Sequence, residues 1–160
     1  MSHSIIIKPF MHFIFSRYIL FFSAIIFFIE GCKKDEITFP VEPKIEIVGT
    51  TPSSPKQYTD PLIITIQYED GDGDLGENND LVKNCFVTDN RIGITYEYRI
   101  KQLAPTGTSI AIEGNLDIDL GGQVLTDNSL QQNATYTLYV VDRAGHKSNL
   151  ATTGTVVIRK

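Results

Sequence analysis

Histidine and cysteine are scarce in this chain of 160 residues, which contains two cysteines and three histidines. Beyond residue 32, only Cys85 and His146 remain. Zinc centres draw mainly on these two residue types, so the chain lacks the ligands for one. Cys85 and His146 are also the only nucleophile–base pair that the residue types allow, and neither lies in a catalytic motif. Because Cys85 stands beside Phe86 and Val87, we interpret it as a small buried apolar residue.

Clusters of basic residues are missing as well. The chain has 14 basic and 19 acidic residues, which gives a net charge of −5. Residues 1–31 contain two of the basic and one of the acidic residues, so 12 basic and 18 acidic residues lie in residues 32–160. Nucleic-acid binding needs clustered lysines and arginines against the phosphates. No such cluster exists beyond Lys33 and Lys34, so we expect no nucleic-acid partner.

Helical periodicity is absent beyond residue 44. The sequence there consists of short segments, and in most of them apolar and polar residues alternate. The candidate strands are residues 45–48, 62–68, 96–101, 109–112, 116–120, 135–140 and 156–158. Alternation places one set of side chains in a core and the other in water. The predicted core residues are Ile64, Ile66, Tyr98, Ile118, Tyr136, Leu138 and Val140. The chain therefore predicts one all-β domain over residues 45–160, an antiparallel β-sandwich of about seven strands.

The N-terminus predicts a targeting segment. Lys8 and Arg17 precede residues 18–29, which are apolar except for one serine. This run is shorter than the roughly 20 residues of a membrane-spanning helix and has the length of the apolar region of a signal peptide. A start at Met11 instead of Met1 would give a more typical signal length.

The apolar run ends in IEGC, which resembles the lipobox of bacterial lipoproteins, where a small residue precedes a cysteine that becomes the lipidated N-terminus. Gly31 and Cys32 match this pattern and Ile29 is compatible with it, whereas Glu30 departs from the usual small or apolar residue. The resemblance implies that residues 1–31 are a signal peptide and that Cys32 carries acyl chains, palmitate among them, that hold the protein on a membrane. A plain signal anchor with an incidental cysteine is the alternative.

The stretch CKKDE resembles the start of mature lipoproteins of the Bacteroidota type, in which a lysine followed by acids is associated with export to the cell surface. The resemblance implies a lipid-anchored location on the outer membrane, facing outward or, as the alternative, facing the periplasm. Residues 32–44 are charged and contain two prolines, so we expect an extended tether. With Cys32 lipidated, Cys85 has no partner for an intrachain disulfide.

Residues 133–149, NATYTLYVVDRAGHKSN, resemble the last hairpin of immunoglobulin-like and fibronectin type III-like bacterial domains. The matching residues are Tyr136, Asp142, Ala144, Gly145 and Ser148, with His146 where asparagine is usual. The resemblance implies a single immunoglobulin-like β-sandwich in which Tyr136 is buried and its hydroxyl bonds back to the chain. It also implies a positive φ at Gly145 and a turn capped by Asp142.

Residues 68–81, YEDGDGDLGENNDL, combine acids and glycines without a base. Asp70, Asp72 and Asp74 recur at every second position with glycines between them. Calcium loops use this arrangement because hard oxygen ligands must converge on one ion while glycine lets the backbone curl. We therefore predict a calcium site, of weak affinity as in extracellular modules.

The match to an EF-hand loop is incomplete. Leu75 occupies the sixth position and Leu81 the twelfth, where an EF-hand has a glycine and a bidentate glutamate. Glu77 or Asp80, together with a carbonyl near Leu75, would complete the ligand set. A solvated polar turn is the alternative, and the connection is expected to continue without a strand to about Gly93.

Enzymatic function is not expected. The paired carboxylates of a glycosidase need a substrate groove, for which a domain of this size has little room. We expect a surface-anchored binding or assembly module that takes a protein or glycan ligand through its loops. Exposed aromatics would make the contact, and the candidates are Tyr58 and Tyr139, although a core position on the second sheet face is the alternative for Tyr139. The alternatives are a structural envelope spacer and, more remotely, a small hydrolase.

Overall fold

The regular structure of the domain consists of β-strands alone in the computed structural model, which describes residues 39–160. The strands are β1 (Lys44–Thr51), β2 (Pro61–Asp70), β3 (Cys85–Asp89), β4 (Ile94–Tyr98), β5 (Ile112–Gly122), β6 (Gln131–Ala134), β7 (Tyr136–Val140), β8 (Ala151–Thr152) and β9 (Val156–Arg159). In this part of the chain no helix is long and apolar enough to cross a membrane. The predicted signal peptide, the lipidation site at Cys32 and the tether as far as residue 38 lie outside the described residues.

Three antiparallel sheets form the domain. Their strand orders are β1-β2-β5, β4-β3-β7-β8 and β6-β9. One hydrophobic cluster draws on all three sheets, for example through Ile64 of β2, Leu138 of β7 and Ile158 of β9. The prediction of an all-β, antiparallel domain is therefore confirmed.

The central strand β3 was not predicted, because Phe86 and Asp89 depart from the usual alternation. It lies between β4 and β7, with Cys85, Val87 and Asp89 buried and Phe86 and Thr88 facing outward. An acid inside and a phenylalanine outside hide the alternation that marks a strand. The expected strand-free connection to Gly93 is therefore wrong.

Two other strands, β6 and β8, also escaped prediction, since the first is polar and the second has only two residues. The strand predicted over residues 109–112 is wrong as well. The backbone there is irregular, and β5 begins at Ile112. The domain thus has nine strands instead of about seven.

Most of the predicted core is confirmed by burial. Ile64, Ile66, Ile118, Tyr136, Leu138 and Val140 are buried. Tyr98 is only half-buried, although it packs against the same cluster. It lies on β4, the outermost strand of its sheet, whose inner face is open to solvent.

The last hairpin has most of the features that its resemblance implied. Tyr136 is fully buried, Gly145 has a φ of +92°, and Oδ1 of Asp142 accepts a hydrogen bond from the amide of His146 at 2.8 Å. The tyrosine hydroxyl differs from the expectation. It donates to Oε1 of Gln123 at 2.8 Å, so it reaches an upstream side chain and not the backbone.

Candidate metal centre

Three carboxylates converge where β2 ends. Asp70 is the last residue of β2, and Asp72 and Asp74 follow in the loop. Each offers one oxygen, and these three oxygens lie within 4.8 Å of one another. Within residues 39–160 this is the one group of three or more side chains that could hold a metal ion. The structure therefore brings together the three aspartates that the sequence singled out.

One oxygen of each carboxylate lacks a partner. The Oδ1 atoms of Asp70, Asp72 and Asp74 are buried and accept no hydrogen bond, and no other buried side-chain atom of the described residues shares this property. Asp70 as a whole is fully buried, with 0% of its surface exposed. A buried polar atom without a partner costs about 1–3 kcal/mol, and more for a charged group. A cation would satisfy all three oxygens at once.

The opposite oxygens of two of these carboxylates are held by the backbone. Oδ2 of Asp70 accepts from the amide of Leu75 at 2.7 Å, and Oδ2 of Asp74 accepts from the amide of Ala144 at 2.9 Å. These bonds fix the orientation of both side chains. Their free oxygens are consequently held in place before any ligand arrives.

Burial and mutual repulsion make the carboxylates reluctant to ionise. Burial raises the pKa of Asp70 to about 6, and the amide of Leu75 opposes this rise. The carboxyl of Asp72, which can share a proton with Asp70, adds to the rise, as do the negative charges of Asp72 and Asp74. The pKa of Asp74 is also raised, first by burial and then by the charges of Asp142 and Asp72. A bound cation would oppose the repulsion between the carboxylates and lower their pKa values, because it favours the ionised forms.

The glycines of the loop let two other segments approach it. A Cβ on Gly71 would overlap the carbonyl oxygen of Phe39, and the amide of Gly71 donates to the carbonyl of Pro40 at 2.8 Å. Gly73 has a φ of +71°, and a Cβ there would overlap the carbonyl oxygen of Ile110. Only glycine avoids both conflicts, so the loop can pack against the segment that enters the domain.

One base does lie near the group, although none is close in sequence. Arg143 comes from the loop between β7 and β8, and its Nη1 donates to the carbonyl of Gly76 at 2.8 Å. Its charge lowers the pKa of Asp74, against the larger effect of burial. Among the described residues, however, no ion pair joins an arginine or lysine to any of the three aspartates. Arg143 thus offsets the negative charge of the group only in part.

The other predicted ligands make different contacts. Oε1 of Glu77 accepts from the amides of Asn78 and Asn79 at 2.7 and 2.9 Å, which caps a turn. Asp80 is 82% exposed and pairs with Arg99 at 2.7 Å. Neither acid belongs to the converging group.

The prediction also included a backbone carbonyl near Leu75. The carbonyl of Leu75 itself accepts a hydrogen bond from the amide of Leu103 at 3.4 Å. The structure therefore brings together three side chains that could act as ligands. The coordination sphere of a calcium ion has room for several waters beyond them, because six to eight oxygens surround this ion.

Cys85 and His146 have separate structural roles. Cys85 is fully buried in β3, which confirms its interpretation as an apolar residue, and burial raises the pKa of its thiol to about 12. The reactive thiolate is therefore scarce at neutral pH. Nδ1 of His146 lies 2.9 Å from Oδ2 of Asp142, and this hydrogen bond raises the pKa of the histidine.

The two tyrosines proposed as contact residues differ in accessibility. Tyr58 is 76% exposed. Tyr139 is half-buried and stacks on Phe86 with ring centroids 4.9 Å apart, and Nζ of Lys147 lies 3.6 Å from the centroid of its ring. Both neighbours occupy ring surface of Tyr139, so Tyr58 is the more available of the two.

Comparison with known proteins does not assign this group of carboxylates. No protein-family model matches the chain, and neither a curated protein nor a solved structure does so. The three carboxylate oxygens at the end of β2 are therefore the main indication of function in the chain.

Proposed function

We propose that this protein is a non-enzymatic lipoprotein of the outer membrane, anchored through Cys32, whose β-domain is a calcium-stabilised binding or assembly module. The observation that carries the calcium proposal is the convergence of three buried, unpartnered carboxylate oxygens. The lipobox-like sequence before Cys32 supports the anchor. The outer face of such a membrane meets millimolar calcium, a range in which weak sites fill.

Calcium suits this group better than the other common metals. All three ligands are carboxylates, with no imidazole or thiolate among them, which disfavours zinc and copper. Magnesium demands nearly ideal octahedral geometry and gives up its waters reluctantly, whereas calcium accepts irregular sets of six to eight oxygens. A loop that offers three carboxylates, two of them fixed by backbone amides, fits the second description.

The ion would act as a clasp at one end of the domain. The loop that carries it is bonded to Pro40, where the chain enters the domain, and to Ala144, in the loop after β7. Neutralising the carboxylates removes their repulsion and secures both connections. The proposed role of calcium is thus to hold the entering chain against the domain that it carries.

The proposal is tested by thermal unfolding of the full chain in a mild detergent, with millimolar calcium and with chelator. Calcium at tenfold excess over its dissociation constant should stabilise the fold by about 1.4 kcal/mol. Asp72→Asn should abolish the shift, because it removes one charge and one ligand from the centre. Asp80→Asn is the matched control, since it makes the same change in an exposed residue of the same loop, and it should leave the shift intact. Equal melting temperatures in both solutions, with no heat on titration, would refute the calcium site.

We propose further that the domain is an immunoglobulin-like β-sandwich. The three-stranded sheet β1-β2-β5 and the four-stranded sheet β4-β3-β7-β8 contribute to one hydrophobic cluster, as two facing sheets would. Tyr136, at the start of β7, is buried like the tyrosine of the final hairpin in that fold. A crystal structure tests this proposal, because aligned sheets should pack at about −30°.

A further inference from the structure

A small cavity opens between two strands that are edges of different sheets. β4 ends the four-stranded sheet and β5 ends the three-stranded sheet. The cavity has a volume of about 200 Å³ and is lined by Tyr96 and Tyr98 of β4, Leu120 of β5 and, next to β5, Val124. We call it the β4–β5 cleft.

The inner face of β4 is left open at this cleft. Tyr96 pairs with Val87 and Ile94 pairs with Asp89 across the antiparallel ladder, and paired residues share one face of a sheet. Val87 and Asp89 are buried, yet Tyr96 is 44% and Ile94 is 50% exposed. Apolar side chains that point toward the interior side of the sheet are thus uncovered at its edge.

The backbone edges beside the cleft are also unpaired. β4 pairs only with β3, and β5 pairs only with β2. Within residues 39–160 no backbone hydrogen bond joins the outer edge of residues 94–97 or of residues 112–120 to another segment. An unpaired strand edge is a template for one more strand.

The two strands that flank the cleft carry charges of one sign. Arg91 lies in its wall but is neutralised by Asp89, with Nη2 2.6 Å from Oδ2, and its Nη1 donates to the carbonyl of Val124. Outside the lining, β4 and β5 carry acids and no base. Two of these acids are the exposed Glu97, on the outer face of β4 where it pairs with Phe86, and the exposed Asp119 on β5. A second copy of this chain would bring the same acids, so the complementary partner is basic.

The size of the cleft excludes a large free ligand. Sites for drug-sized molecules measure about 300–1,000 Å³, and this one is smaller, enough for one side chain. A small apolar pocket beside a free strand edge fits β-strand addition, in which backbone bonds give affinity and a side-chain pocket gives specificity.

We propose that the β4–β5 cleft binds an extended segment of a partner protein. The segment pairs with β4 as an additional strand, places one aromatic or branched apolar side chain against Tyr96, and presents lysine or arginine to Glu97 and Asp119. This inference deepens the proposed binding function by naming its surface and the chemistry of its partner. It does not depend on the calcium site.

The test uses short synthetic peptides added to the full chain in detergent. The probe alternates threonine with apolar residues, has phenylalanine at its centre and carries lysines at both ends. Two matched peptides serve as controls. One carries glutamates at its ends instead of lysines, and the other keeps the lysines but has N-methyl groups on the backbone amides of its central residues. Only the first should bind, because like charges repel and a methylated amide cannot pair. Its binding should perturb and protect the amides of residues 94–97, followed by NMR.

Two variants locate the site. Tyr96→Ala should weaken binding of the lysine peptide about tenfold, as expected for an aromatic contact residue. Tyr58→Ala is the control, because Tyr58 is an exposed tyrosine that does not line the cleft, and it should leave binding unchanged.

Three outcomes would overturn the proposal. They are no binding of the lysine peptide at millimolar concentration, equal binding of all three peptides, or perturbation of residues 94–97 by a neutral oligosaccharide and not by the peptide. Peptide binding is measured separately from the effect of calcium on thermal unfolding and from membrane fractionation. A failure of peptide binding is therefore distinguishable from a failure of the proposed calcium site or of the lipid anchor.

Discussion

Oδ2 of Asp74 accepts a hydrogen bond from the backbone amide of Ala144 at 2.9 Å, although 70 residues separate the two in the chain. This bond ties the acidic loop after β2 to the loop after β7. It also orients one carboxylate of the converging group. The geometry of the candidate metal centre therefore depends on contacts between segments that are distant in sequence.

Without calcium, stability should fall as the pH rises through the pKa of Asp70. This pKa is about 6 in the folded protein, whereas the unperturbed value of an aspartate, as in the unfolded chain, is 3.8. The folded protein therefore holds the proton more tightly. A raised pKa contributes stability that is fully present below about pH 4 and lost as the pH passes 6, on the order of 3 kcal/mol. Denaturant unfolding in chelator at about pH 3.5 and about pH 7.5, on either side of this window, measures the change.

Asp70→Asn separates this effect from other titrations. The amide mimics the protonated carboxyl and can still accept from Leu75, so the variant should lose most of the pH dependence across that window. It should be more stable than the parent at neutral pH in chelator, and unresponsive to calcium. A variant less stable than the parent under those conditions would contradict the raised pKa.

Tyr136 should be one of the most sensitive core positions. It is fully buried, so Tyr136→Ala should cost about 3–5 kcal/mol. Tyr136→Phe removes only the hydroxyl that bonds to Gln123 and should cost about 0.5–1.5 kcal/mol. Urea unfolding measures both. A loss below about 1 kcal/mol for the alanine variant would be incompatible with a core residue.

Gly73→Ala should destabilise the loop. The φ of +71° costs a residue with a Cβ about 1–2 kcal/mol, and overlap with the carbonyl of Ile110 adds to this. Gly154→Ala is the matched control, because its Cβ would meet nothing within 4 Å and its φ is not positive. Thermal melting compares the two, and equal melting temperatures would contradict the predicted strain.

Cys32→Ala should release the protein from membranes or block its processing, because the acyl chains attach to this residue in the lipoprotein proposal. Fractionation of cells that express the variant, with detection of the protein by size, measures this. Cys85→Ala is a control for the loss of a thiol, and it should leave membrane attachment intact. Variant protein with Ala at position 32 that still fractionates with membranes at mature size would contradict the proposal.

Local pattern was sufficient for much of the fold. Alternation identified β2 and β7, and with them buried residues such as Ile64 and Leu138, because the two-residue period of a strand is written directly in the sequence. It failed at β3, where Asp89 is buried and Phe86 is not. The burial of Asp89 depends on its ion pair with Arg91, which is a contact and not a pattern.

The sequence by itself determined the all-β class and the three aspartates of the candidate centre, because alternation and the spacing of acids and glycines act over a few residues. Only the tertiary structure decided that Asp70 is buried, that Ala144 fixes Asp74, and that Glu77 makes a turn contact instead. It also decided that two unpaired edges meet at the β4–β5 cleft. These properties depend on which distant segments pack together, and burial arises from that packing and not from neighbours along the chain.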